Sequence, residues 1–157
     1  MKIRRRTIKI FLFSIVGLFA ACHPSNEVYY RFESIPHAAW DKNTEYKFDV
    51  EITDTLALYD VFVEVRNNNR YNYRNLWLFV SFKTPEGNMR KDTLNCELAN
   101  EYGEWYGKGR GLHTIVFPYD QSIRYPYSGT YSYIVKQGMR SDRLEGISDI
   151  GIRVVKK

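Results

Sequence analysis

The 157-residue sequence holds only two cysteines, three histidines and five prolines. With Cys22 and Cys96 alone there is no disulfide framework. A chain of this length needs none, since it can bury roughly two-thirds of its unfolded surface in one domain. The histidines, His23, His37 and His113, lie far apart. None has a second ligand at the close paired spacing of a zinc site, so neither metal nor cofactor is expected. There is no Gly-x-Ser-x-Gly elbow and no suggestive grouping of Ser, His and Asp. The 18 acidic residues mostly occupy the polar sides of alternating stretches, so no catalytic residue can be named and the chain reads as a non-enzyme. The glycine-rich segment 103–111 is not a nucleotide loop. Three residues instead of four precede its Gly107-Lys108, Gly109 stands where a hydroxyl belongs, and a strand pattern follows where a helix is needed. It reads as a structural turn.

Charge is unevenly placed. The net +5 comes from residues 1–21, which carry five basic side chains and no acidic one. From Cys22 onward 18 basic residues face 18 acidic ones, so the mature part lacks the basic surplus that nucleic-acid binding by charge requires. The basic start leads into an apolar run, Ile10–Ala21, of 12 residues. That is shorter than the roughly 20 residues of a permanent membrane span, and small residues follow it, as in an export signal. Ala20-Ala21-Cys22 resembles the bacterial lipobox, with Phe19 where Leu is usual and Leu18 one place earlier. The expected organisation is a lipoprotein signal peptide over 1–21, a lipidated Cys22 with a short polar tether over 22–27, and one domain over 28–157. Acyl chains on Cys22 would hold the protein to a membrane without the polypeptide entering it. An unmodified Cys22 behind an ordinary secretory cleavage site, and an uncleaved N-terminal anchor, are the alternatives.

From Val28 the apolar residues recur with period two. Tyr46, Phe48, Val50 and Ile52 form one set, Val61, Val63 and Val65 another, and Leu76, Leu78, Val80 and Phe82 a third. Trp77 and Phe79 make the third apolar on both faces, which predicts a central strand. Pro85-Glu86-Gly87-Asn88 predicts a hairpin joining Leu76–Thr84 to Met89–Leu98. With segments at Val28–Ser34, Leu112–Pro118, Gly129–Gln137 and Gly146–Val155, about eight strands are expected. The fold class is therefore all-β, a single antiparallel β-sandwich. Cys96 falls on the apolar side of its strand and reads as a small buried hydrophobe.

Aromatic content is high, with 13 Tyr, 9 Phe and 3 Trp. Tyr71 and Tyr73 follow the polar stretch Arg66–Arg70, which reads as a loop, and Trp105 sits beside Lys108 and Arg110 in the glycine-rich turn. Such residues either cap the open ends of a sandwich core or form a contact surface. Tyr71, Tyr73, Asn75, Trp105, Lys108 and Arg110 are the candidate interaction surface. A rival reading uses Tyr71, Tyr73, Trp77 or Trp105 to stack on sugar rings, as a lipid-anchored carbohydrate-binding module.

An ordered series of segments carries a resemblance. It runs from Trp40 through Phe48, Asp54-Thr55 and Tyr59-Asp60-Val61 to Arg66-Asn67-Asn68 and Tyr71, Tyr73, Asn75 and Leu76. It continues with Asp92-Thr93-Leu94, Leu98-Ala99, Gly103, Trp105 and Gly107-Lys108-Gly109-Arg110-Gly111. It closes with Gln137, Met139-Arg140, Asp142, Leu144, Gly146-Ile147, Asp149, Gly151 and Arg153. Over nearly all of the mature part this resembles the gliding-motility lipoprotein GldH family of Bacteroidota, with Asn72 where Pro is expected. The resemblance implies a lipid-anchored, non-enzymatic accessory of gliding motility, associated with type IX secretion and partnered by other envelope proteins. It implies an outer-membrane location. Only one acidic residue, Glu27, follows Cys22 closely, which favours the periplasmic side over the cell surface.

Overall fold

The computed structural model describes residues 26–157; the expected signal peptide, Cys22 and most of the tether lie outside the described residues. Ten strands form: β1 (Glu27–Ser34), β2 (Ala39–Asp41), β3 (Glu45–Ile52), β4 (Tyr59–Asn68), β5 (Asn75–Lys83), β6 (Met89–Glu97), β7 (Leu112–Ile123), β8 (Gly129–Gln137), β9 (Arg143–Glu145) and β10 (Ile147–Lys156). Eight of them are the expected strands. The other two, β2 and β9, are three residues each and pair only with one another.

Two four-stranded antiparallel sheets, in the orders β1-β10-β4-β7 and β3-β8-β5-β6, face each other. The alternating residues explain why. Val61, Val63 and Val65 on β4 and Ile150, Ile152 and Val154 on β10 are fully buried, and so are Phe48, Val50 and Ile52 on β3 and Leu76, Leu78 and Val80 on β5. They share one apolar cluster between the sheets. Cys96 lies in that cluster, fully buried, and burial pushes its thiol pKa well up.

The hairpin of β5 and β6 has its expected register, Leu76 opposite Cys96 and Lys83 opposite Met89. β5 is interior to its sheet, paired on both sides. Its outer face is nevertheless open: Trp77 is 41% and Phe79 49% exposed. Two-faced apolarity thus marks a strand central to its sheet but not one buried on both faces. Arg66, Asn67 and Asn68, expected in a loop, extend β4. β7 runs past Pro118 to Ile123, as an edge strand permits, because no strand pairs with its outer side.

The free edges of β6 and β7 are bridged across the sandwich. The Arg90 guanidinium on β6 donates to Asp92 (2.7 Å), to the Tyr119 hydroxyl (3.1 Å) and to Asp120 on β7 (2.6 Å). Tyr119 in turn donates to Asp92. A charged clamp of this kind both joins the sheets and blunts an edge against unwanted strand pairing.

All eight long strands run between two poles. One pole gathers Asn26 and the loops 53–58, 84–88 and 124–128. The other gathers the loops 69–74, 98–111 and 138–142 with the β2–β9 pair. A strand rises about 3.3 Å per residue, so the ten residues of β4 separate the poles by roughly 30 Å.

Candidate functional site

The pole remote from Asn26 brings the sequence-expected residues together. The Arg74 carbonyl accepts from the amides of Leu98 (2.7 Å) and Ala99 (3.1 Å), which ties the loop before β5 to the loop after β6. His113 adds a second tie, its ring nitrogens lying 3.3 Å from the Gly107 carbonyl and 3.1 Å from Asn69 Oδ1. Residues 105 and 108 are drawn down by isolated bridges, Ala99 with Trp105 and Lys108 with Thr114. Gly109 makes the return possible: at φ +137° any side chain is strained, and a Cβ would fall 1.9 Å from the Leu112 carbonyl oxygen.

The six candidates divide into support and surface. Tyr71 is 3% exposed. Its hydroxyl donates to the Asn75 carbonyl (2.8 Å), and burial pushes its phenol pKa far above the usual range. Asn75 is half-buried and donates to Asn95 Oδ1 (3.0 Å). Trp105 is half-buried, 6.5 Å from the Tyr71 ring and 5.8 Å from His113. Tyr73 stands edge-on to Tyr71 at 5.6 Å, 43% exposed, with its hydroxyl 3.0 Å from Ser141 Oγ. Lys108 and Arg110 are exposed and their side chains have no ion-pair or hydrogen-bond partner among the described residues.

Sequence reasoning missed His113 and Arg74 as the ties between the loops, because neither role has a local spacing. It also missed the groove beside Tyr73. Asn75, Trp77, Met139, Arg140 and Ser141 line a space of about 280 Å³ there, with the Trp77 amide donating to Met139 Sδ at 3.3 Å. Trp77, named for stacking on sugars, therefore lies on the outer sheet face next to the pole, with Phe79 two residues along. Tyr125, from the second aromatic loop, is 1% exposed in the core, whereas Tyr127 is 47% exposed.

The pole offers rings, amides and unpaired cations, and among the described residues no group of three or more His, Cys, Asp or Glu could hold a metal ion. The chain belongs to the GldH lipoprotein family, whose model matches residues 27–154. It is 35% identical over 158 aligned residues to a gliding motility lipoprotein GldH homolog of Christiangramia forsetii, covering 96% of this chain and 95% of that one. It is 31% identical over 156 to the gliding motility lipoprotein GldH of Flavobacterium johnsoniae, covering 94% and 95%. Among solved structures, the PRD1 vertex protein P5 superposes with a TM-score of 0.47 at 11% identity, covering 85% of this chain and 99% of that one.

The segments that carried the resemblance prove to be mainly structural. Trp40 is fully buried, with its indole N–H donating to the Thr44 carbonyl (3.0 Å). Gly146, at φ +93°, lies so close to the 70–71 backbone that a Cβ would sit 2.2 Å from the Tyr71 nitrogen.

Proposed function

We propose that the protein is a non-enzymatic accessory of the gliding machinery, tethered by acyl chains on Cys22 to the periplasmic leaflet of the outer membrane. It acts by binding other envelope proteins, among them components associated with type IX secretion. The two GldH relatives support the motility role. The observation that carries a contact function is the remote pole, where Lys108 and Arg110 stand unpaired beside a braced Trp105. Aromatic and arginine anchors on a fixed frame are what partner surfaces concentrate.

The test is crosslinking in intact cells, followed by recovery of the tagged protein and mass spectrometry. Wild type should recover envelope motility or secretion components. A variant combining Trp105→Ala, Lys108→Ala and Arg110→Ala should lose them while keeping its unfolding midpoint within a few degrees. Full recovery by the folded variant would refute this surface. Protease shaving of intact cells tests the orientation, since removal of the domain would place it outside.

A glycan-binding module is the second reading, favoured by one observation: Trp77 and Phe79 stand exposed side by side next to the Asn75–Asn95 amide pair. Its signature is a tryptophan fluorescence change on titration with envelope glycans that Trp77→Ala abolishes. Recovery of polysaccharide-uptake proteins alone in the crosslinking experiment would point the same way.

A further inference from the structure

The opposite pole is where the chain enters. The Asn26 carbonyl accepts from the Lys156 amide (2.7 Å), and Glu27 opens β1 opposite Val155. Cys22 precedes Asn26 by four residues. Four residues at full extension reach at most about 14 Å.

At this same pole the fold holds apolar side chains outward. Leu56 is 82% exposed. Its loop is fixed by Asp54, whose Oδ1 accepts from the Leu56 amide (2.9 Å) and the Ala57 amide (3.2 Å). Asp54 Oδ2 takes the Lys156 ammonium (2.7 Å), and the Asp54 carbonyl takes the Tyr59 hydroxyl (2.7 Å). The neighbouring loop presents Tyr127, 47% exposed, with its backbone held at both ends by the Tyr131 hydroxyl (3.2 and 2.8 Å). The rings of Tyr59 and Tyr125 meet at 5.1 Å and join the two loops. Arg124 beside them is exposed and has no ion pair among the described residues.

A lone exposed leucine is ordinary. A leucine and a tyrosine braced outward, with a free arginine, at the one place that a short acylated tether must keep near lipid are a different matter. Tyr and Leu partition into the headgroup boundary, and arginine suits lipid phosphates. We propose that this pole rests on the bilayer, Leu56 and Tyr127 entering the headgroup boundary and Arg124 facing the phosphates. The anchored protein is then a post standing on its loops, with the remote pole presented to partners. This rests on the acylated Cys22 of the proposed function.

The experiment uses the full mature protein in vesicles of phosphatidylethanolamine and phosphatidylglycerol, with acrylodan attached at Leu56→Cys or, as control, at Tyr102→Cys on the remote pole. Cys96 is buried and stays unlabelled. The label at 56 should emit to the blue of the label at 102 and lose most of its quenching by iodide; Tyr127→Cys should behave like 56. Flotation with the vesicles but equal, water-like emission at 56 and 102 overturns the docking and leaves the anchor standing. Failure to float overturns the anchor at Cys22 and the docking with it. A blue shift that grows with protein concentration in the absence of vesicles marks a second copy of the chain and also overturns the proposal.

Discussion

Replacing Tyr71 separates support from surface. The residue is 3% exposed, its hydroxyl reaches the Asn75 carbonyl at 2.8 Å, and its ring is the hub on which Tyr73 (5.6 Å) and Trp105 (6.5 Å) lean. Tyr71→Phe removes one buried hydrogen bond and keeps the ring, so it should cost about 1 kcal/mol. Tyr71→Ala removes the ring as well, and truncating a buried aromatic costs about 3–5 kcal/mol. At roughly 4 °C per kcal/mol for a domain of this size, the midpoints should fall by about 4 °C and by well over 10 °C. Thermal melting followed by tryptophan fluorescence reads both midpoints, and urea denaturation with an unchanged m value for Tyr71→Phe would show that only stability moved. Trp105 reports locally: its emission should redden in Tyr71→Ala even before unfolding. Loss of less than about 1 kcal/mol in Tyr71→Ala would mean that the ring is not part of the core. The account of the pole as a braced frame would then fall.

Three further outcomes follow from particular groups. Asn67 is fully buried at the end of β4, and neither its Oδ1 nor its Nδ2 has a hydrogen-bond partner among the described residues. Asn67→Val, apolar and much closer in volume than Leu, should leave stability unchanged or raise it by about 1 kcal/mol, and a marked loss would show that the amide is satisfied after all. Gly146→Ala should cost about 2–3 kcal/mol, since it adds positive-φ strain to a Cβ placed 2.2 Å from the Tyr71 nitrogen; a neutral result by thermal melting would refute the contact. Three carboxylates have depressed pKa values. Asp49 is held down by the Ser132 hydroxyl and Lys47, Asp54 by Lys156 and the Leu56 and Ala57 amides, and Asp60 by the Ser122 amide and Lys157. A carboxyl whose folded pKa lies below its unfolded value, about 3.9, stabilises the fold above that value and loses the contribution as pH falls through the folded one. The melting temperature should therefore be level near neutrality and fall below about pH 4, and a flat profile down to pH 3 would contradict these assignments.

Legibility followed the range of the interactions. Alternation in Tyr46–Ile52 or Val61–Val65 reports one buried face directly, so the eight long strands could be placed within a few residues. Ala39–Asp41 and Arg143–Glu145 carry no period. They are strands only because Trp40 lies opposite Leu144 at the remote pole, a pairing that no local window contains. The polar residues Arg66-Asn67-Asn68 suggest a loop because they disfavour strands. They stay extended because β10 and β7 pair with them on both sides. The candidate surface was legible as a set of rings and cations. That Tyr71 faces inward while Tyr73 faces outward, and that His113 ties the loops together, depends on backbone hydrogen bonds between segments distant in sequence.

The pairing of β1 with β10 bears on the order of events during export. Glu27–Ser34 is an edge strand whose one ladder partner is Ile147–Lys156, and β10 is itself the strand that joins β1 to β4. A chain delivered across a membrane from its N-terminal side presents β1 long before that partner exists, and such distant pairings form late. The segment next to Cys22 thus waits as an unpaired strand while the remainder crosses. If Cys22 is acylated as proposed, the enzymes that process it would meet an extended, accessible substrate, and closure of the last ladder would then seal the segment into the sheet.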